Sequence, residues 1–178
     1  MRTKILFLVL ITIRGIAACP QTAAGAPHSN EAFVNAVFRT VVDSSFTNYY
    51  LIQQSDTCRF VKFNYEDWAQ STLKEPVSIV ILNELAEKVY LSKGRYFWRK
   101  EQLHHAICIS NKQADSVLYH KKGTVFSFSQ PQFTDDGQYA VIDLNFVCGI
   151  ACGEGFTCIF RRTSAGWKLI AKYTNWSA

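Results

Sequence analysis

The chain has no apolar run long enough to cross a bilayer as a helix. The one at residues 5–13 falls well short of the roughly 20 residues that a span needs. It also has no lysine- and arginine-rich stripe. Its basic residues come in short groups, Arg99-Lys100, Lys121-Lys122 and Arg161-Arg162, which read as solvated faces or strand ends, so nucleic acid is not an expected partner. The G-x-S-x-G nucleophile elbow and the H-E-x-x-H pair do not occur, and no lysine follows the glycines at phosphate-loop spacing. There is no internal repeat. These absences remove the commonest hydrolase, metalloprotease and nucleotide-binding readings, and no cofactor is expected.

What is present begins with a leader. Arg2 and Lys4 precede the apolar run, and Ile16-Ala17-Ala18-Cys19 follows it, the layout of an export signal over residues 1–18. The last four resemble the lipobox of bacterial lipoproteins, which implies that Cys19 is acylated and becomes the first mature residue. Ordinary cleavage, at Ala18 or near Ala24-Gly25-Ala26, is the other reading and would release the protein. Arg14 departs from the apolar pattern in both cases. Acyl chains would hold the protein on a membrane, since each buried methylene adds about 0.8 kcal/mol. With Cys19, residues up to 29 lack apolar periodicity and read as a flexible tether. The formal charge of +5 falls to +2 once Arg2, Lys4 and Arg14 leave with the leader. Residues 30–178 are expected to form one domain.

An exported chain meets oxidising conditions, and this one carries six cysteines. With Cys19 acylated, five remain, so at least one thiol stays unpaired within the chain. Cys148 and Cys152 are the expected bridge, because the glycine-rich stretch around them can bend enough to bring the two together. Cys58 with Cys108 is the second candidate pair. Cys158 falls on an apolar strand face and reads as a buried core thiol.

The hydrophobic period changes along the chain. Phe33, Val34, Val37, Phe38, Val41 and Val42 recur at helical spacing after a candidate cap at Asn30. Tyr49 to Ile52 reads as a short extended segment. Pro76 opens a second helix with Val77, Val80, Ile81, Leu85 and Val89 facing the core, and Gly94 stops it. Ser110 and Gln113 make a capping-box pattern for a short third helix ending near His120.

From Thr124 onward the period is two. Asp135-Asp136-Gly137 signals a hairpin turn, and Ala140, Ile142, Leu144 and Phe146 form an inward face. Phe156, Cys158 and Phe160 supply the next inward face, and Trp167, Leu169, Ala171 and Tyr173 the last. Matching faces pairs Phe146 with Cys158 and Phe160 with Leu169. The expected fold is α+β, with N-terminal helices on one face of an antiparallel meander of about four strands. The other face would carry Thr157, Arg161, Lys168 and Lys172.

Phe128-Ser129-Gln130-Pro131-Gln132-Phe133, Asp136-Gly137-x-Tyr139-Ala140, Cys148-Gly149-x-x-Cys152-Gly153-x-Gly155 and Gly166-Trp167-Lys168 occur in that order. As a set they resemble a group of uncharacterised bacterial secreted or lipid-anchored proteins sharing a C-terminal β-meander, over roughly the last third of the chain. The resemblance implies a bacterial envelope location and no activity or catalytic residues.

The candidate binding loop is therefore Gly149, Gly153, Glu154 and Gly155, fixed by the Cys148–Cys152 bridge and flanked by aromatics. A redox role for that pair is the weaker reading, because redox pairs more often use C-x-x-C at a helix N-terminus. His104 and His105 beside Cys108 offer metal-ligand types, yet adjacent histidines point in different directions, so no metal is expected. The leading expectation is a non-catalytic, lipid-anchored envelope protein that binds another protein or a small ligand through this loop. The alternative is a secreted hydrolase or thiol-dependent enzyme using Glu154, His104 or His105, or Cys158, at a site between helices and sheet. A released periplasmic or extracellular protein is the alternative location.

Overall fold

The computed structural model describes residues 29–42, 48–60, 75–92, 94–120, 123–149 and 151–178. The leader, Cys19 and most of the expected tether lie outside the described residues. The elements, in chain order, are α1 (Asn30–Val41), β1 (Tyr49–Ile52), α2 (Ile79–Leu91), a 3-10 turn (Lys100–Gln102), β2 (Ala106–Ile109) and α3 (Asn111–Tyr119). Five strands complete it: β3 (Val125–Phe128), β4 (Gln132–Phe133), β5 (Tyr139–Gly149), β6 (Cys152–Thr163) and β7 (Gly166–Ser177).

The fold is α+β, but the sheet has seven strands rather than about four, in the order β2-β1-β3-β5-β6-β7, with β4 also paired to β5. Short extended segments of the first half extend the meander. β1 lies parallel to both β2 and β3, while β3, β5, β6 and β7 pair antiparallel. β3 is the seam between the two patterns. Four-residue apolar segments such as Tyr49–Ile52 carry too little period to announce a place inside a sheet.

The helices do not share one face. On one side α1 packs Phe33, Val34, Val37 and Phe38 onto Ala140, Ile142, Leu144, Phe156, Cys158, Phe160 and Leu169. On the other, α2 sets Leu82 and Leu85 on Val141, Ile159 and Ile170, and Val117 of α3 packs with Ile52, Ile109 and Val125. The reason is readable in the strands: β5 and β6 carry apolar residues at both parities in their middles, the pattern of strands buried on both faces. Each fully buried Phe, Leu, Ile or Val stabilises by about 1.5–3 kcal/mol.

Ser29, not Asn30, caps α1, its hydroxyl accepting the Ala32 N–H at 3.1 Å. α2 begins at Ile79 after Ser78, so Pro76 precedes the helix, and Val80 points outward at 69% exposure while Leu82 takes the core position. α3 follows the expected pattern: Ser110 N–H donates to Gln113 Oε1 at 2.9 Å, and the helix ends at Tyr119. The Asp135-Asp136-Gly137 turn joins β4 to β5, with Gly137 at φ 65°, where a side chain would be strained.

Register departs from expectation in two places. β5 runs to Gly149 and β6 starts at Cys152, and Phe146 lies opposite Glu154 while Cys158 faces Ile142. A shift by an even number keeps every side chain on its own face. Phe160 does lie opposite Leu169. A bulge between them and the Ile159–Ala171 pair then reverses the parity of β7. Trp167 and Leu169 face α1, whereas Ile170, Ala171 and Tyr173 face α2. The residues expected on an open polar face are dispersed accordingly. Thr157 is buried, Arg161 and Lys168 both pair with Glu75, and Lys172 crosses to the α1 side, over Phe156.

Candidate functional site

The expected binding stretch is a strand hairpin. The Cys148–Cys152 disulfide staples its tip, with Cα atoms 5.1 Å apart. Closing so few residues removes little chain entropy, about 2 kcal/mol by the loop-closure relation. Its main effect is local: it fixes where β5 stops and β6 starts. Gly149 has φ 152° and open space around it, as the tip of such a turn requires.

Gly153 and Gly155 have a different origin. They lie in β6 rather than in a solvated loop, and Trp176 of β7 covers them. A Cβ on Gly155 would fall 2.1 Å from Trp176 Nε1 and 2.4 Å from Asn145 Oδ1, and one on Gly153 would meet the indole ring at 2.9 Å. The indole N–H donates to Asn145 Oδ1 at 3.1 Å. These glycines make room for a tryptophan, a close-approach role with a sequence signal in the G-x-G spacing but no hint of the partner.

On the α1 side of the same hairpin lies a cavity of about 320 Å³. Phe126, Phe146, Phe156 and Leu144 form its apolar part, Val41 and Val42 close it from α1, and Glu154, Lys172 and Cys148 reach its wall. The three rings run in series, Phe126 to Phe146 at 6.0 Å and Phe146 to Phe156 at 6.4 Å between centroids. The Lys172 ammonium sits 3.3 Å from the Phe156 centroid, a cation–π contact. Glu154 is half-buried. Sequence reasoning found Glu154 and missed Lys172, because the bulge that turns Lys172 inward has no signature in the strand's own residues.

A second constellation, unforeseen from the sequence, occupies the opposite face. Asp143, 1% exposed, accepts hydrogen bonds from the Arg59 N–H at 2.6 Å, Thr157 Oγ1 at 2.7 Å and Cys58 Sγ at 3.6 Å. Asn175 Nδ2 donates in turn to Thr157 Oγ1 at 3.1 Å, and the Asp143 N–H donates to Ser129 Oγ at 2.9 Å. Burial raises the Asp143 carboxyl, outweighing the Arg59, Thr157 and Cys58 hydrogen bonds that lower it. Burial first, and the neighbouring Asp143 second, push the Cys58 thiol up to about 12. Cys58 also borders a larger cavity of about 710 Å³ beside α2, lined with Phe60, Asn83, Ala86, Glu87, Val89 and Tyr90. A thiol so reluctant to ionise is a poor nucleophile at neutral pH, so cavity size alone does not make that region a reactive site.

The remaining sequence candidates are scattered. Cys58 and Cys108 are free thiols, not a bridge: Cys58 packs with the α2 core and Cys108 with the α1 core, and the sheet separates them. Cys158 is the expected buried core thiol, fully enclosed and pushed up to about 12 by burial. His104 and His105 are exposed at the start of β2, and among the described residues no group of three or more metal-ligating side chains occurs. Of the groups named for an enzymatic alternative, only Glu154 lines the 320 Å³ cavity. No helix among the described residues is long and apolar enough to cross a membrane. No family model, curated protein or solved structure matches the chain.

Proposed function

We propose that this chain is an exported, lipid-anchored protein of the bacterial cell envelope that works as a non-catalytic binding domain. Its ligand site is the cavity beside the Cys148–Cys152 hairpin. One observation carries the binding role: an aromatic-lined hollow of about 320 Å³ against a cross-linked strand turn, with a carboxylate and an ammonium on its wall. Small-ligand sites have this make-up, a mostly apolar concavity with a few placed polar groups. The location rests on the charged and apolar leader, the lipobox-like residues ending at Cys19, and the resemblance of the C-terminal strands to secreted and lipid-anchored proteins.

Two measurements test the two halves. Intact mass spectrometry of the protein recovered from bacterial membranes, with and without reduction, should give a chain starting at Cys19, carrying acyl chains and one disulfide. A cytosolic product retaining residues 1–18 with reduced thiols would overturn export and anchor together. For binding, titration with short amphipathic molecules should perturb the backbone NMR signals of residues 144–146 and 154–156. Thr124 also lines the cavity, and Thr124→Trp, which fills it, should abolish the change; perturbation that persists in this variant would place binding elsewhere.

A further inference from the structure

The reading of that cavity as a binding site, on which this inference rests, leaves the chemistry of its occupant open, and the wall of the cavity narrows it. Glu154 and Lys172 carry opposite charges on one apolar surface, and among the described residues neither forms an ion pair. The Lys172 ammonium lies over the Phe156 ring face and acts on the buried Cys158, and among the described residues it makes no hydrogen bond, which leaves its N–H donors for an acceptor. Charges at an apolar surface gain most when a ligand supplies both a hydrogen bond and the opposite charge.

We infer that the site takes a small zwitterion with an apolar body, of the size of a free apolar amino acid or a dipeptide. Its ammonium would lie on Glu154 and the neighbouring ring faces, its carboxylate on Lys172, and its side chain on Phe126 and Phe146. A simple amine satisfies Glu154 but meets Lys172, and a simple acid does the reverse, so each gains one contact and suffers one repulsion. A fatty-acid-like ligand is disfavoured on the same ground. The volume agrees: about 320 Å³ lies at the small end of the roughly 300–1,000 Å³ usual for ligand pockets.

Four probes that share an isobutyl group separate these cases by calorimetry on the disulfide-intact protein: L-leucine, 4-methylpentanamide, 3-methylbutylamine and 4-methylpentanoate. L-leucine should bind tightest. Glu154→Gln and Lys172→Gln should each weaken it by about tenfold or more, with circular dichroism and the thermal unfolding midpoint showing that the variants keep their fold. Should the amide bind as tightly as L-leucine, or both variants bind L-leucine like the parent, the zwitterion is overturned and the cavity stands as a neutral apolar site. Saturable binding of none of the four would remove the binding site itself.

Discussion

The two faces of the sheet solve burial in different ways. Beneath α1 the interior is aromatic and almost wholly apolar. Phe33 meets Phe133, Phe160 and Trp167 edge-on at 5.0–5.5 Å, and Phe38 stacks on Tyr49 at 3.8 Å. Large rings fill that space with two polar atoms, Tyr49 Oη and Trp98 Nε1, left without a hydrogen-bond partner among the described residues. Across the sheet the rings give way to Ile159, Ile170 and Leu85, together with a buried carboxylate whose neighbours satisfy it. The charged groups follow the same division. On the α1 side Glu31, fully buried, is held at the rim by Tyr96 Oη at 2.5 Å and by Arg99, whereas Asp143 lies in the middle of its face. Aromatic packing leaves a gap at one end, between rings that cannot all interdigitate, and that gap is the proposed site. On the other face of the hairpin Trp176 covers Gly153 and Gly155, and the cavity of that face lies beside α2 instead.

The largest effect that tests this contrast is a truncation on the aromatic side. Phe160→Ala, in a fully buried position touching Phe33, should cost about 3–5 kcal/mol in chemical denaturation, against about 2–5 kcal/mol for the comparable truncation Ile159→Ala on the other face. A larger cost for Ile159→Ala than for Phe160→Ala would place the greater share of the stability on the α2 side.

A smaller effect separates the glycines from the ligand site. Gly155→Ala should destabilise by about 1–3 kcal/mol, because its Cβ collides with the indole. Adding Trp176→Ala should reduce the penalty to what the Asn145 amide, released from the indole, still imposes. A Gly155→Ala penalty undiminished by loss of the indole would refute the close-approach role.

The smallest effects are opposite in sign. Burial alone would raise Glu31, but hydrogen bonds from Arg99 and Tyr96 outweigh it and hold the carboxyl below its ordinary value. Its contribution is therefore full above the unfolded value near ~4.3 and is lost as pH falls through the lower folded value. Asp143, raised by burial, behaves in reverse: folding holds its proton, so its cost begins near ~3.9 and grows as pH rises to the higher folded value. Denaturation midpoints across acidic to neutral pH should show the deficit of Glu31→Gln shrinking on acidification, and that of Asp143→Asn shrinking as pH rises. Parallel profiles would show that the two carboxylates do not differ as their surroundings demand.

Much of the site's raw material was legible along the chain. The Cys148–Cys152 pair stands out as two cysteines in a glycine-rich stretch, and Glu154 as a carboxylate between glycines. The inward parity of Phe146 and Phe156 follows from alternation alone. Lys172 was not legible, since one bulged residue in β7 reverses its face and nothing local marks the position. Asp143 reads as the outward residue of a half-buried strand until α2 and the Cys58–Phe60 segment cover it. The split of the helices between two faces was similarly hidden, although Val141, Ile159 and Ile170 at the supposedly open parity were a signal for it.

Local pattern alone determined the α+β class, the α3 cap, the Asp136-Gly137 turn, the buried Cys158 and the disulfide, because each depends on residues close in the chain or on a period of two or 3.6. Only the tertiary structure decided that three short segments join the sheet, that both faces are covered, and that a carboxylate and an ammonium meet at one hollow. Those outcomes depend on which distant surfaces come together and on a bulge in β7; apolar residues at both parities of β5 and β6 signal the second covered face, but nothing local marks the bulge or the partners.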